Sequence, residues 1–164
     1  MRSGVAAIDD LDWRWRRFDA LGVHELQYIY AARQQVFAIE QQCIYLDVDG
    51  CDEHAFHLAA WSAAQREPLA YARVIDPGVK YAADLSIGRV ITTGAGRGKG
   101  IGRELMARAI AHARAAWPDV AIRISAQSRL ERFYLGFGFT RVGPPYLEDG
   151  IDHTEMLLAA PSSP

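Results

Sequence analysis

The sequence predicts a single domain of the α/β (α+β) class, in which a mixed and mostly antiparallel central sheet of about seven strands is flanked by helices. Its 164 residues, 50% of them hydrophobic, are enough to bury one core and too few for two ordinary domains. Short apolar runs with the two-residue period of strands alternate with longer segments of helical period. We expect the domain to span residues 11–160, between a loose leader at 1–10 and a loose tail at 161–164.

The first half of the chain predicts three strands and one helix. Residues 11–17 alternate apolar and polar side chains, as in a half-buried strand. From Val23 to about Glu40 the apolar residues recur at helical spacings and form one helix face. Residues 54–61 and 68–75 are apolar runs joined by a polar turn, and they therefore predict a hairpin.

The second half predicts four more strands and two more helices. A strand ends at Ile91, and a helix with one apolar face follows a glycine-rich loop and stops at Trp117, before Pro118. Ser128 is expected to cap the last helix and Gly138 to end it. The remaining strand, helix and two closing strands are expected at residues 120–124, 128–137, 139–142 and 152–158.

Composition narrows the class of function. Charged residues make up 23% of the chain, and the net charge is −2. This balance shows neither the basic surplus of a nucleic-acid-binding protein nor the extreme acidity of a disordered chain. The first ten residues do not read as a signal peptide, and no apolar run is long enough to span a membrane. We therefore expect a cytoplasmic protein with a small-molecule partner and no membrane partner, and a homodimer is one open alternative for its oligomeric state.

Two patterns that suggest a metal site lack the necessary spacing. Counted from Asp47, the acidic segment 45–53 does not place the glycine and the glutamate of a calcium loop correctly. Its carboxylates either form a solvated turn or attract a cationic acceptor. The two cysteines have no zinc-pair spacing, and His54 and His57, three apart on a strand, point to opposite faces. The sequence therefore predicts no metal ion.

The stretch Arg97-Gly98-Lys99-Gly100-Ile101-Gly102, between a predicted strand and a predicted helix, has the properties of a phosphate site. Its glycines permit positive φ and close approach of a ligand, and the first N–H groups of the helix can bind an anion. Arg97 and Lys99 add two cations. The spacing does not fit a P-loop, which would need glycine in place of Thr93, or the dinucleotide fingerprint.

This stretch resembles the acyl-coenzyme A loop of the GNAT N-acetyltransferases, whose pattern Q/R-x-x-G-x-G/A is matched by Arg97, Gly100 and Gly102. A second similarity lies nearer the C-terminus. Tyr134 is followed four residues later by Gly138-Phe139, as in the last core helix of GNAT proteins. Gln127 stands seven positions before Tyr134, where many members have asparagine.

Further segments resemble the ElaA-type branch of the GNAT family. They lie between about Trp13 and Met156, at residues 37–41, 47–50, 87–90, 125–127, 133–134 and 148–151. The resemblance implies a GNAT fold that binds acetyl-CoA and an amine acceptor of unspecified identity. The implied reaction is transfer of an acetyl group to a primary amine of a small molecule or peptide. A noncatalytic acyl-CoA-binding or sensor module is the alternative.

The resemblance also implies roles for individual residues. Tyr134 would act as the general acid that protonates the departing sulfur, and the alternative is a core aromatic. The backbone of Val90 and Ile91 would pair with the pantetheine arm, and Gln127 would contact the cofactor. The diphosphate would be held by Arg97, Gly98, Lys99, Gly100, Ile101 and Gly102.

The general base is not marked by any motif. An alkylamine with a pKa of about 10.4 needs such help, because its deprotonation at pH 7 costs about 4 to 5 kcal/mol. His57 is a candidate, since imidazole titrates in the useful range and its strand could face the cleft. A structural histidine is the alternative reading, and Glu40, Asp49 or a water relay are further candidates.

Overall fold

Eight strands form one sheet in the computed structural model, which describes residues 7–162. The strands are β1 (Asp12–Arg17), β2 (Ala55–Trp61), β3 (Ala70–Ile75), β4 (Leu85–Thr92), β5 (Ile122–Gln127), β6 (Thr140–Arg141), β7 (Tyr146–Glu148) and β8 (Ile151–Leu158). Their order is β1-β2-β3-β4-β5-β8-β6, with β7 also paired to β8. Only β4 and β5 are parallel among the described strand pairs.

Helices cover both faces of this sheet. They are α1 (Val23–Gln34), which continues as a π-helical segment Gln35–Glu40, α2 (Ile101–Ala116) and α3 (Glu131–Leu135). The alternation of β2 separates the two layers, since Leu58 and Ala60 belong to the core under α2 while Ala59 and Trp61 belong to the core under α1. Among residues 7–162, no helix combines the length and the apolar character needed to cross a bilayer.

The predicted fold class is therefore confirmed, with local differences. β7 was not predicted, and the prediction that Ser128 caps the last helix was wrong. Residues Ser128–Leu130 form a 3₁₀ turn before α3, and the Ser128 hydroxyl is hydrogen-bonded to Thr154 at 2.9 Å. Gly138, with a φ of +94°, does follow α3, as expected of a helix-ending glycine.

The expected loose ends fall mainly on residues 1–6 and 163–164, which lie outside the described residues. Within the described part of the leader, Ile8–Asp10 forms a 3₁₀ turn. Ile8 packs against the core under α2. This turn brings the leader beside the loop that precedes α2, where the Ile8 Cδ1 atom lies 3.7 Å from the position of a Cβ on Gly100.

The two parallel strands at the centre of the sheet separate after a short contact. Only Leu85–Ile122 and Ser86–Arg123 are paired. Beyond them β4 contains a bulge, because its register against β3 shifts by one residue and Arg89 has a φ of +50°. A bulge bends its strand. The carboxyl halves of β4 and β5 therefore diverge and leave a cleft in the middle of the sheet.

Candidate active site

A cavity of about 140 Å³ occupies the gap between the diverging strands. Its walls include residues 87–90 of β4 and 124–127 of β5. The structure brings three of the predicted site residues to this cavity, namely Val90, Gln127 and Tyr134. The remaining walls come from the segment after α1 and from β7 and β8, which sequence reasoning had not assigned to a site.

Tyr134 contributes a phenol to the cavity from α3. Its side chain is buried, with 6% of the residue exposed, and it packs edge-on against Phe133 and Phe139. Burial raises the pKa of Tyr134 to about 12, because the phenolate would lose its hydration. The phenol is therefore protonated at neutral pH and has a proton to donate.

The glycine-rich loop ends in an open helix N-terminus. Gly98 and Gly100 have φ values of +75° and +76°, and Gly100 directly precedes α2 without any side-chain cap. The first amide with a partner inside the helix is that of Glu104, which donates to the Gly100 carbonyl at 3.2 Å. The N–H groups of residues 101–103 are thus oriented outward, as phosphate binding requires.

Other features of the loop residues favour backbone over side-chain binding. The Ile101 side chain is buried, and a Cβ on Gly102 would lie 3.4 Å from a Thr92 methyl group on β4. Arg97 forms an ion pair with Glu40, and the Lys99 ammonium donates to the Ala95 carbonyl at 2.7 Å. Both cations are exposed on the loop and remain close to any anion held at the helix end.

The loop does not line the cavity itself. Arg97 Nε donates to the carbonyl of Thr92, the last residue of β4, at 3.1 Å. The loop and the cavity are therefore connected by the carboxyl end of β4, which contains Val90 and Ile91. Ile91 turns its side chain into the core under α1, so only its backbone is oriented for a ligand along the strand.

His57 lies away from the cavity, and the structure contradicts its predicted role as a catalytic base. The imidazole is buried under α1, with 1% of the residue exposed. Nε2–H donates to the Asp52 carbonyl at 2.9 Å, and Nδ1 accepts from the Tyr71 hydroxyl at 2.7 Å. Burial lowers the pKa of His57. Both ring nitrogens are occupied, so His57 is a structural histidine.

The three aspartates of the acidic segment are paired with arginines. Three arginines bond to its aspartates, with Arg33–Asp52 at 2.6 Å, Arg73–Asp49 at 2.7 Å and Arg89–Asp47 at 2.7 Å. Although burial alone would raise the pKa of Asp49, hydrogen bonds from Arg73 hold it below its ordinary value. These carboxylates are therefore not free to attract a cationic acceptor, and Asp49 is a poor base. For these three aspartates, recruitment and catalysis are both contradicted, whereas Glu53 of the same segment is exposed.

Four polar side chains near the hairpin of β7 and β8 form a chain of contacts. Tyr146 and Ser125 share a hydrogen bond, and the Ser125 hydroxyl donates to Glu148 Oε2 at 3.2 Å. His153 Nε2 lies 3.5 Å from the same carboxylate oxygen. Sequence reasoning missed Tyr146 and Glu148 because Gly143-Pro144-Pro145 and Glu148-Asp149-Gly150 are typical of turns. The similarity of residues 125–127 and 148–151 to the ElaA branch was the available signal.

A segment that follows α1 closes another side of the cavity. It contributes Phe37, Gln41, Cys43 and Tyr45 to the wall. Gln127, the predicted cofactor contact, spans the cleft here, since its amide donates to Gln41 Oε1 at 3.0 Å. Burial raises the pKa of Tyr45 to about 12. This wall is thus uncharged and partly aromatic, and its Gln41 amide is hydrogen-bonded to Gln127.

Comparison with known proteins identifies the family. Residues 27–160 match the family described as Acetyltransferase (GNAT) domain. A UPF0039 protein of Synechocystis sp. is 40% identical over 152 residues, which cover 93% of this chain and 97% of that protein. Protein ElaA of Escherichia coli is 36% identical over 151 residues, covering 89% of this chain and 95% of ElaA.

Solved structures agree with these relatives. The crystal structure of an acyl-CoA N-acyltransferase from Pseudomonas aeruginosa has a TM-score of 0.85 at 40% identity, and the match covers 91% of this chain and 99% of that one. The crystal structure of Escherichia coli ElaA has a TM-score of 0.83 at 34% identity, covering 90% and 98%. The chain therefore belongs to the GNAT acetyltransferase family, in the branch that includes ElaA.

Proposed function

We propose that this protein is an N-acyltransferase that moves an acetyl group from acetyl-CoA to a primary amine of a small molecule or peptide. The observation that carries the proposal is the cleft between β4 and β5, with the Tyr134 phenol in its wall and the open N-terminus of α2 beyond its end. This arrangement joins an anion site, an extended strand edge and a proton donor in one line along β4.

Backbone groups of this chain would hold the donor. The N–H groups of residues 101–103 bind the diphosphate, supported by the charges of Arg97 and Lys99. The backbone of Val90 and Ile91 pairs with the pantetheine arm as an added strand would, because the bulge and the divergence free this edge of β4 from β5. Gln127 contacts the same arm from β5.

Tyr134 would then assist the transfer as general acid. A nitrogen–carbon bond forms as the amine attacks the thioester carbonyl, and the carbon–sulfur bond breaks when the intermediate collapses. The Tyr134 hydroxyl gives its proton to the leaving sulfur and regains one from the nitrogen that becomes the amide. Its raised pKa keeps the phenol protonated throughout the physiological range.

The size of the cavity favours a short acyl group. A cavity of about 140 Å³ is comparable to one that holds a molecule of the size of benzene. An acetyl thioester and the nitrogen of an acceptor fit this space. Acetyl-CoA is therefore the proposed donor.

Amine-dependent thiol release distinguishes this function from a noncatalytic acyl-CoA sensor. Acetyl-CoA is incubated with the protein and a panel of alkylamines, polyamines, lysine peptides and aromatic amines, and free CoA thiol is measured. We expect release above the uncatalysed rate with at least one amine and not without amine. Tight binding of acetyl-CoA together with no amine-dependent release across the panel would favour the sensor.

A further inference from the structure

The position of His153 on β8 makes it part of the cavity wall. In the sheet His153 is paired with Gln127 of β5 on one side and with Tyr146 of β7 on the other. Directly paired residues present their side chains on the same face. Both His153 and Gln127 line the cavity, and only 12% of the His153 side chain is exposed.

Hydrogen bonding fixes which ring nitrogen of His153 carries the proton. Nδ1 lies 2.8 Å from the carbonyl oxygen of Ile151, and a carbonyl can only accept, so Nδ1 is the protonated nitrogen. In the neutral ring Nε2 is therefore the free base. The Glu148 carboxylate lies 3.5 Å from Nε2.

Charged and titratable groups from several neighbouring elements surround the His153 imidazole. From β7 come Glu148 and Tyr146, whose ring stacks on His153, and Asp149 lies in the turn that follows. The facing walls contribute Arg89, already paired with two aspartates, and the neutral side chains of Cys43, Tyr45 and Tyr134. Glu148 is thus the charged group in contact with the ring, through the 3.5 Å approach of its carboxylate to Nε2.

We propose that His153 is the general base of the proposed transferase, and that Glu148 is its positioning residue. This rests on the proposed function. Nε2 removes a proton from the acceptor ammonium, which leaves a neutral amine and an imidazolium beside Glu148. The amine then forms the nitrogen–carbon bond, Tyr134 protonates the sulfur as described above, and His153 returns its proton to solvent. The net products are an amide, free CoA thiol and one proton.

The test uses His153→Asn, because the asparagine amide can still donate to the Ile151 carbonyl while the basic nitrogen is lost. His24→Asn, at an exposed position on α1, is the matched control. With an alkylamine at pH 7 we expect kcat/KM of H153N to fall by about 10²- to 10³-fold. Activity of H153N should recover as pH approaches the pKa of the amine. Acetyl-CoA affinity, measured by calorimetry, should stay unchanged.

A second acceptor separates loss of the base from damage to the site. An arylamine is already neutral at pH 7, so H153N should acetylate it within about threefold of wild type if proton removal alone is lost. Glu148→Gln keeps the size of the side chain and removes its charge, and we expect it to lower kcat/KM with the alkylamine more than with the arylamine, because Glu148 positions the base. A merely structural role for Glu148 would lower kcat/KM equally with both acceptors.

The outcomes distinguish this inference from the function on which it rests. Equal kcat/KM of H153N and wild type on the alkylamine, or an equal loss on both acceptors, would overturn the role of His153 and leave the transferase intact. If wild type releases no thiol with any amine, the proposed transferase function is contradicted, and so is the role of His153 as its general base.

Discussion

The buried phenol of Tyr134 differs from an exposed tyrosine in two measurable ways. It faces a cavity at the divergence of two strands, and its pKa is raised to about 12 by burial. The first property suits proton donation to a group in the cleft. The second makes the folded state sensitive to alkali, because folding holds a proton that the unfolded chain would release.

Replacing Tyr134 by phenylalanine should lower turnover and leave binding intact. The substitution removes the donated proton while the packing against Phe133 and Phe139 persists. We expect kcat to fall by about 10²-fold with unchanged acetyl-CoA affinity by calorimetry. Unchanged turnover on a working acceptor would reduce Tyr134 to a packing residue.

The same variant tests the pKa. The pKa of Tyr134 is higher in the folded than in the unfolded state. The stabilisation that this difference contributes is therefore fully present below pH 10 and is lost as pH rises toward 12. Wild type should lose roughly 2 kcal/mol more of its unfolding free energy across this interval than Y134F, which cannot ionise. Urea titrations at several pH values measure the difference. Parallel losses in the two proteins would contradict the raised pKa.

Several elements are tied together by the ion pairs between the acidic segment and the sheet. Arg33 from α1 and Arg73 from β3 meet at Asp52, which is 3% exposed. Although burial alone would raise the pKa of Asp52, its hydrogen bonds with Arg33 lower it. The segment thus joins helix and sheet as a neutral cluster, and its role is structural.

Asp52→Asn should destabilise the fold strongly, because two buried guanidinium groups lose a shared counter-charge. We expect a loss of about 3 kcal/mol in urea denaturation, against a negligible loss for the exposed control Asp119→Asn. Since the folded-state pKa is lowered, this stabilisation exists above about pH 4 and disappears as pH falls. Wild type should therefore lose more stability on acidification than D52N. Equal midpoints at neutral pH would show that the cluster contributes nothing.

The loop before α2 gives an element-level test of donor binding. Gly100 has a φ of +76° at the helix N-terminus, so Gly100→Glu adds strain and also a carboxylate where the diphosphate is expected. We expect acetyl-CoA binding to be abolished in calorimetry. Gly143→Glu, at an exposed turn with a φ of +84°, adds comparable strain away from the loop and should bind normally. Wild-type affinity in G100E would contradict the assignment.

The sequence revealed those elements whose signal is local. Strand and helix periods located the sheet, and the spacing of Arg97, Gly100 and Gly102 marked the loop. β7 was not predicted because its three residues are all exposed and show no alternation of apolar and polar side chains. The partners of the acidic segment escaped because Arg33, Arg73 and Arg89 are distant in sequence, and only the folded sheet brings them together.

The sequence predicted those residues of the candidate site that a single local motif marks. His57 was chosen because imidazole has a suitable pKa, but the direction of a side chain depends on the layer beneath the strand. His153 has the same chemistry and lies in the cleft only because β8 pairs with β5. Its selection therefore required the sheet order, which periodicity does not provide.

At the scale of the whole molecule, three features of the fold act together: the short parallel contact, the bulge in β4 and the open end of α2. They place the proposed diphosphate site, the free edge of β4 and the Tyr134 phenol next to one another. A small displacement of any of them would separate the proposed diphosphate site from Tyr134. In the proposed transferase, residues 90, 97–102, 127 and 134, spread over about a quarter of the chain, would therefore act on one donor.

The most direct test is mass spectrometry of the acceptor after incubation with acetyl-CoA and the wild-type protein, alongside quantified CoA thiol. We predict an amine that gains one acetyl group for each thiol released, with both signals strongly reduced in Y134F. Thiol release without any acetylated amine would indicate hydrolysis. Saturating acetyl-CoA binding with neither product would contradict N-acyl transfer altogether.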